Sequence, residues 1–148
     1  MKIVDLNNQT DALIHTDLLE NIAQSLTTRA IELIVTDNKS IQKLNREYRS
    51  KNKATDVLSF PIDATFEDML IPGMPLGSIV ISIDLVKKRS VELGHTTENE
   101  LSLLFIHGLL HLLGFDHEVD NGEMREKEKE IIHKFNLPAS LIIRTEEF

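Results

Sequence analysis

Short apolar runs alternate along this chain with longer stretches in which apolar residues recur every three or four positions, the patterns of strands and amphipathic helices. KIVDLN, residues 2–7, reads as a short strand, and DLLENIAQSL, residues 17–26, as an amphipathic helix opened by Thr16. IELIVTD (31–37) reads as a second strand. Asp37 or Asn38 then caps a helix with Ile41, Leu44 and Tyr48 on its apolar side, while Lys43 and Arg46 point elsewhere. TDVLSF (55–60) is a third strand, halted by Pro61. The prolines and Gly73 between residues 61 and 75 predict a long loop placed to lie over a functional site. LGSIVISID (76–84) has the uninterrupted apolar run of a buried central strand. Asp84 can cap a helix over LVKKRSVEL, which Gly94 ends, and Thr97 with Glu100 fits a capping box for the helix that follows. That helix is almost wholly apolar from Leu101 to Leu113, so it is expected at the centre of the molecule. A charged helix over GEMREKEKEIIHKF follows, with Ile131, Ile132 and Phe135 as its core contacts.

At 148 residues the chain fits one domain, 1–148, with enough length for one real core. The first residues, MKIVDLNNQTDALIH, hold no long apolar segment, and no stretch approaches the roughly 18 apolar residues of a membrane span. A cytoplasmic protein without membrane contact is expected. The chain has no cysteine, so it has no disulfide scaffold, and any zinc must be held by nitrogen or oxygen. The net charge of −8 argues against a general nucleic-acid coat protein. Its distribution changes that picture, because residues 39–53 carry Lys39, Lys43, Arg46, Arg49, Lys51 and Lys53 against Glu47 alone. Lys87, Lys88 and Arg89 form a second basic cluster, and the acidity sits largely in the C-terminal third. One basic face on an acidic chain can bind phosphate locally.

The chemistry concentrates in HGLLHLLGFDH, residues 107–117. Four residues apart on a helix, His107 and His111 share a face with Cβ atoms about 5–6 Å apart, close enough to share a zinc ion at roughly 2.0–2.1 Å per nitrogen. His117 cannot join them on the same helix, since ten more residues would carry it about 15 Å along the axis. Gly114 resolves this: glycine takes the left-handed conformation that ends helices, and a chain reversing there brings His117 back. The plain alternative is two packed histidines and a third in a turn, but neutral imidazoles rarely gather so closely without an ion. Three histidines without a fourth protein ligand leave a position for water, the pattern of catalytic zinc, which lowers the pKa of bound water to about 7. Zinc peptidases with this spacing carry a Glu directly after the first His as general base; here that residue is Gly108. Either something approaches the backbone there, or a packing neighbour takes the space. Asp116 beside the third histidine can orient an imidazole, cap the turn or accept a proton. His15, His95 and His133 lack the spacing and read as surface or turn residues.

LNREYRSKNKATDVLSFP, LGSIVIS and HGLLHLLGFDH, in this order and spacing, together resemble the YbeY family of bacterial metal-dependent endoribonucleases over nearly the whole length. The resemblance implies an α+β fold in which helices pack on a small mixed four-stranded sheet, with one buried central helix carrying the metal-binding histidines and a Zn2+ site in a cleft. It also implies cleavage of single-stranded RNA, not DNA, in 3′-end maturation of the small-subunit ribosomal RNA and in ribosome quality control. The small ribosomal subunit or a ribosome-associated GTPase is the implied partner. Carried over by position, the metal ligands are His107, His111 and His117, and the family's functional arginine falls on Arg49. A guanidinium beside the cleft can hold a phosphate by two parallel hydrogen bonds and stabilise charge developing on it. Taken alone, Arg49 also reads as a solvated cation favoured by the dipole at a helix end. One departure stands out: the family usually has an acid after the glycine of LGSIVIS, where this chain has Ser78. Two other readings compete, a metallopeptidase and a non-enzymatic ribosome-assembly factor whose metal holds the fold together.

Overall fold

A computed structural model describes residues 2–62 and 74–141. Most of the loop expected between Pro61 and Pro75 lies outside the described residues. The elements follow in the order β1 (Val4–Asn8), α1 (Asp17–Leu26), β2 (Ile31–Thr36), α2 (Asn38–Arg49), β3 (Val57–Pro61), β4 (Gly77–Ser82), α3 (Ile83–Leu93), α4 (Thr97–Leu112) and α5 (Glu123–Lys134). The strands form one mixed sheet in the order β1-β2-β4-β3. β1, β2 and β4 run parallel, and β3 lies antiparallel to β4 at the edge, with Val57 opposite Ile81 and Ser59 opposite Ile79. This is the α+β arrangement expected, with α4 as the central helix. No helix among the described residues is long and apolar enough to cross a membrane.

Strand alternation divides the core between the two faces of the sheet. Ile31, Leu33, Val35, Ile79 and Ile81 pack with α1, α3 and the apolar side chains of α4, among them Leu104, Phe105, Ile106 and Leu109, all fully buried. Val80 and Leu58, on the other face, pack with Ile41 of α2 and the half-buried Leu44 and Phe60. The α2 helix holds on by fewer apolar contacts than expected, because Tyr48, at its last turn, is 64% exposed and meets the apolar side only edge-on at Phe60. Asn45 takes the second buried position of α2 and donates to the Lys53 carbonyl (3.0 Å), tying down the segment that follows the helix.

Two helix starts differ from expectation. The fourth strand passes into α3 without a loop: Ser82 is the cap, its Oγ accepting from the Leu85 N–H, and Asp84 lies inside the first turn, where it accepts from the Asn38 N–H (2.9 Å). Thr96 caps α4 by accepting from the Asn99 N–H (3.1 Å), so Thr97 is already helical and Glu100 falls one position beyond the capping box. A carboxylate on this helix is buried and needs a partner. Glu100 finds it in His95, whose Nε2 is 2.7 Å from its Oε1. His95 thus lies in the turn between α3 and α4, as one of its two expected readings had it, but it is no surface side chain, being 3% exposed. Exposed His15 lies 3.7 Å from Glu98, and His133 is exposed, as expected of both.

Candidate metal centre

Gly108 sets the depth of α4 on the sheet. A Cβ there would come within 2.8 Å of Ile79 Cγ2, and the Ser59 hydroxyl donates to the Gly108 carbonyl (3.0 Å). The space is thus taken by a packing neighbour, and the close approach brings His107 and His111 to the edge strand β3. Beyond Leu112 the helix closes with the Gly114 N–H bonded to the His111 carbonyl and the Phe115 N–H reaching back to the Leu110 carbonyl (both 3.0 Å). Gly114 adopts φ +101°, as this closure demands. The reversal returns the chain toward α4, and Asp116 fixes the next turn by accepting from the Glu118 N–H (3.0 Å).

His107, His111 and His117 come together as expected, with one ring nitrogen from each lying within 4.8 Å of the others. The Nε2 atoms of His107 and His111 are 3.1 Å apart. Two nitrogens bound tetrahedrally to one zinc at roughly 2.0–2.1 Å would stand about 3.3 Å apart. The opposite ring nitrogens assign the tautomers: His111 Nδ1–H donates to the Phe115 carbonyl (3.0 Å), and His107 Nδ1–H donates to Glu128 Oε1 (3.2 Å). In the neutral rings both Nε2 atoms then carry lone pairs, which repel at this distance unless a cation lies between them. Burial, and then the neighbouring His107 and His117, lower the pKa of His111 from its ordinary value, so the ring is held neutral and ready to donate its lone pair. The residues fit a divalent ion, and an all-imidazole donor set suits zinc among several transition metals.

Glu128 was not identified from the sequence. It is 1% exposed, on a helix that otherwise reads as charged surface, and its carboxylate orients His107 in the manner of the acids that support metal-bound imidazoles. A signal existed: Met124, Glu128, Ile131 and Ile132 share one helical face and are all buried.

The cluster opens onto a cleft of about 740 Å³, lined by Arg49, Lys51, Lys53, Val57, Ser59, Pro61 and the segment 114–118 as well as the histidines. Arg49 Nη2 donates to the Ser59 carbonyl (2.8 Å), and its guanidinium carbon lies 6.0 Å from the Phe60 ring centroid. The Ser59 backbone groups point away from the ladder: Asp56 and Ile62 bond inward, to Ser82 and Leu76, so the odd-numbered residues of β3 turn their backbone groups to the cleft. Pro61 sits in this outward set, where its missing N–H costs no ladder bond. Ser78 is remote from the cluster, on the α2 face, donating to Glu32 Oε1 (2.9 Å).

The family model described as Endoribonuclease YbeY matches residues 2–136. Proteins named Endoribonuclease YbeY from Sulfurovum sp. and Nautilia profundicola are 59% and 57% identical, over 97% and 98% of this chain and 98% and 100% of their own lengths. The solution structure of a Thermotoga maritima protein superposes with a TM-score of 0.58 at 26% identity, covering 89% of this chain and 88% of that one. With the order of the strands, the histidine cluster at the end of α4 and in the turn after it, and this match over nearly the full length, the chain belongs to the endoribonuclease YbeY family.

Proposed function

We propose that this protein is a zinc-dependent endoribonuclease specific for single strands, acting in the cytoplasm on the 3′ end of the small-subunit ribosomal RNA and in ribosome quality control. The observation that carries the reading is the convergence of three imidazoles with Arg49 on one open cleft rimmed by Lys51 and Lys53. His107, His111 and His117 would hold the zinc, which when bound activates water and polarises a phosphoryl oxygen. Arg49 leans on the Ser59 carbonyl and the Phe60 ring, which spend only part of its donor fork, and its remaining N–H groups would grip a non-bridging phosphate oxygen. Asp116 lines the cleft and fixes its turn through Oδ1, which accepts from the Glu118 N–H.

The peptidase reading loses support here. Gly108 stands where that mechanism needs a carboxylate, and a peptide laid along β3 would need the Ser59 carbonyl that Arg49 already takes. The Arg49→Ala variant should keep full zinc content and lose RNA cleavage by roughly a hundredfold, the scale of one removed transition-state donor. Unchanged cleavage of a labelled single-stranded RNA would remove Arg49 from the mechanism.

A further inference from the structure

Tyr48 is a large aromatic ring left in solvent at the last turn of α2, directly before Arg49. Scattered surface aromatics are ordinary. This one is built in: its ring meets Phe60 edge-on, with centroids 5.4 Å apart at 73°, and the Arg49 guanidinium lies over the same Phe60. Phe60 is itself half-buried and packs against the core cluster beneath α2. Tyr48, Phe60 and Arg49 thus form one connected group at the rim of β3, with Arg49 reaching into the cleft and Tyr48 standing outside it. Nothing in the packing of the described residues demands a tyrosine here, since 64% of it is in water.

We infer that Tyr48 is a stacking platform for a nucleobase flanking the phosphate held by Arg49, so that strand binding reads a base face as well as the backbone. The inference rests on the ribonuclease reading and adds to it a determinant of single-strand preference. A paired, stacked base has no face to offer, whereas every unpaired base does. The ring is partly immobilised by Phe60, and lysines on the adjoining segment supply the charge that such platforms accompany.

The composition provides the probe. Tyr48 is the one tyrosine and the chain has no tryptophan, so intrinsic emission near 300 nm would report this ring alone. The zinc-loaded protein would be titrated with a 2′-O-methyladenosine hexamer and with the matching abasic hexamer, oligomer integrity being checked on a gel afterwards. Binding would be followed in parallel by anisotropy of a 5′ label. The expected result is quenching by the hexamer but not by its abasic counterpart. Tyr48→Ala should weaken hexamer binding by roughly five- to a hundredfold with unchanged zinc content, and Tyr48→Phe should restore it. If the hexamer binds without quenching, or binds Tyr48→Ala as tightly as wild type, the platform is overturned while the ribonuclease reading stands. If neither oligomer binds and no single-stranded RNA is cut, both fall together.

Discussion

A single carboxylate decides how well His107 can serve. Glu128 reaches it from a different helix, and the bond fixes both the ring's orientation and the nitrogen that stays available. Glu128→Gln keeps the volume but removes the charge that raises imidazole basicity. It should weaken zinc binding by roughly ten- to a hundredfold with little change in the far-ultraviolet dichroism, as measured by competition with a chelator. Equal zinc affinity would make Glu128 a packing residue only. The three histidines were legible in the sequence because their meeting depends on local rules, a four-residue helical spacing and a glycine free to turn left-handed. Glu128 escaped because its signal, one acid on the apolar face of a charged helix, shows only once that face is traced. Tyr48 was expected on the apolar side for the opposite reason: the helical period places it there, but α2 ends at the sheet edge, where there is no core left to cover it.

For the elements, the sequence predicted types and order better than ends. The cap of α4 lies one residue earlier than expected, and that of α3 two residues earlier, because adjacent residues can serve as caps and tertiary contacts choose among them. Asp84 is drawn to the Asn38 backbone and Glu100 to His95. The depth at which α4 lies on the sheet is a separate element property, set at Gly108. Gly108→Ala would press a methyl group against the fully buried Ile79 and should cost about 1–3 kcal/mol in urea denaturation, despite alanine's better helix propensity. A variant as stable as wild type would show that the helix can shift without penalty. A further tie joins α1 to the first strand, where Glu20 accepts from the Ile3 and Val4 N–H groups. Desolvation opposes ionisation there, but these bonds outweigh it and leave the Glu20 pKa lowered. A carboxyl depressed in the folded state stabilises above its unfolded pKa, near 4.3, and that contribution is lost as pH falls through the folded value. Glu20→Gln should therefore be less stable than wild type at pH 7, with the gap closing toward pH 3. A gap independent of pH would deny the carboxylate this role.

Across the whole molecule, an acidic chain brings part of its basic segment to the cleft, where it stands beside Asp56, Asp116 and Glu118. The net charge of −8 coexists with Arg49, Lys51 and Lys53 around the cleft, and the edge strand, the central helix and the returning turn all end there. If the ion only held the fold together, losing a ligand would unfold the domain. The apolar core on both faces of the sheet is independent of the cluster and should survive without it. The most direct test is cleavage of a labelled single-stranded RNA by wild type and His111→Ala, each with its zinc content and melting curve determined. The account predicts that wild type cuts, while the variant stays folded, binds little zinc and does not cut. Equal cutting by a folded, zinc-poor variant would contradict it.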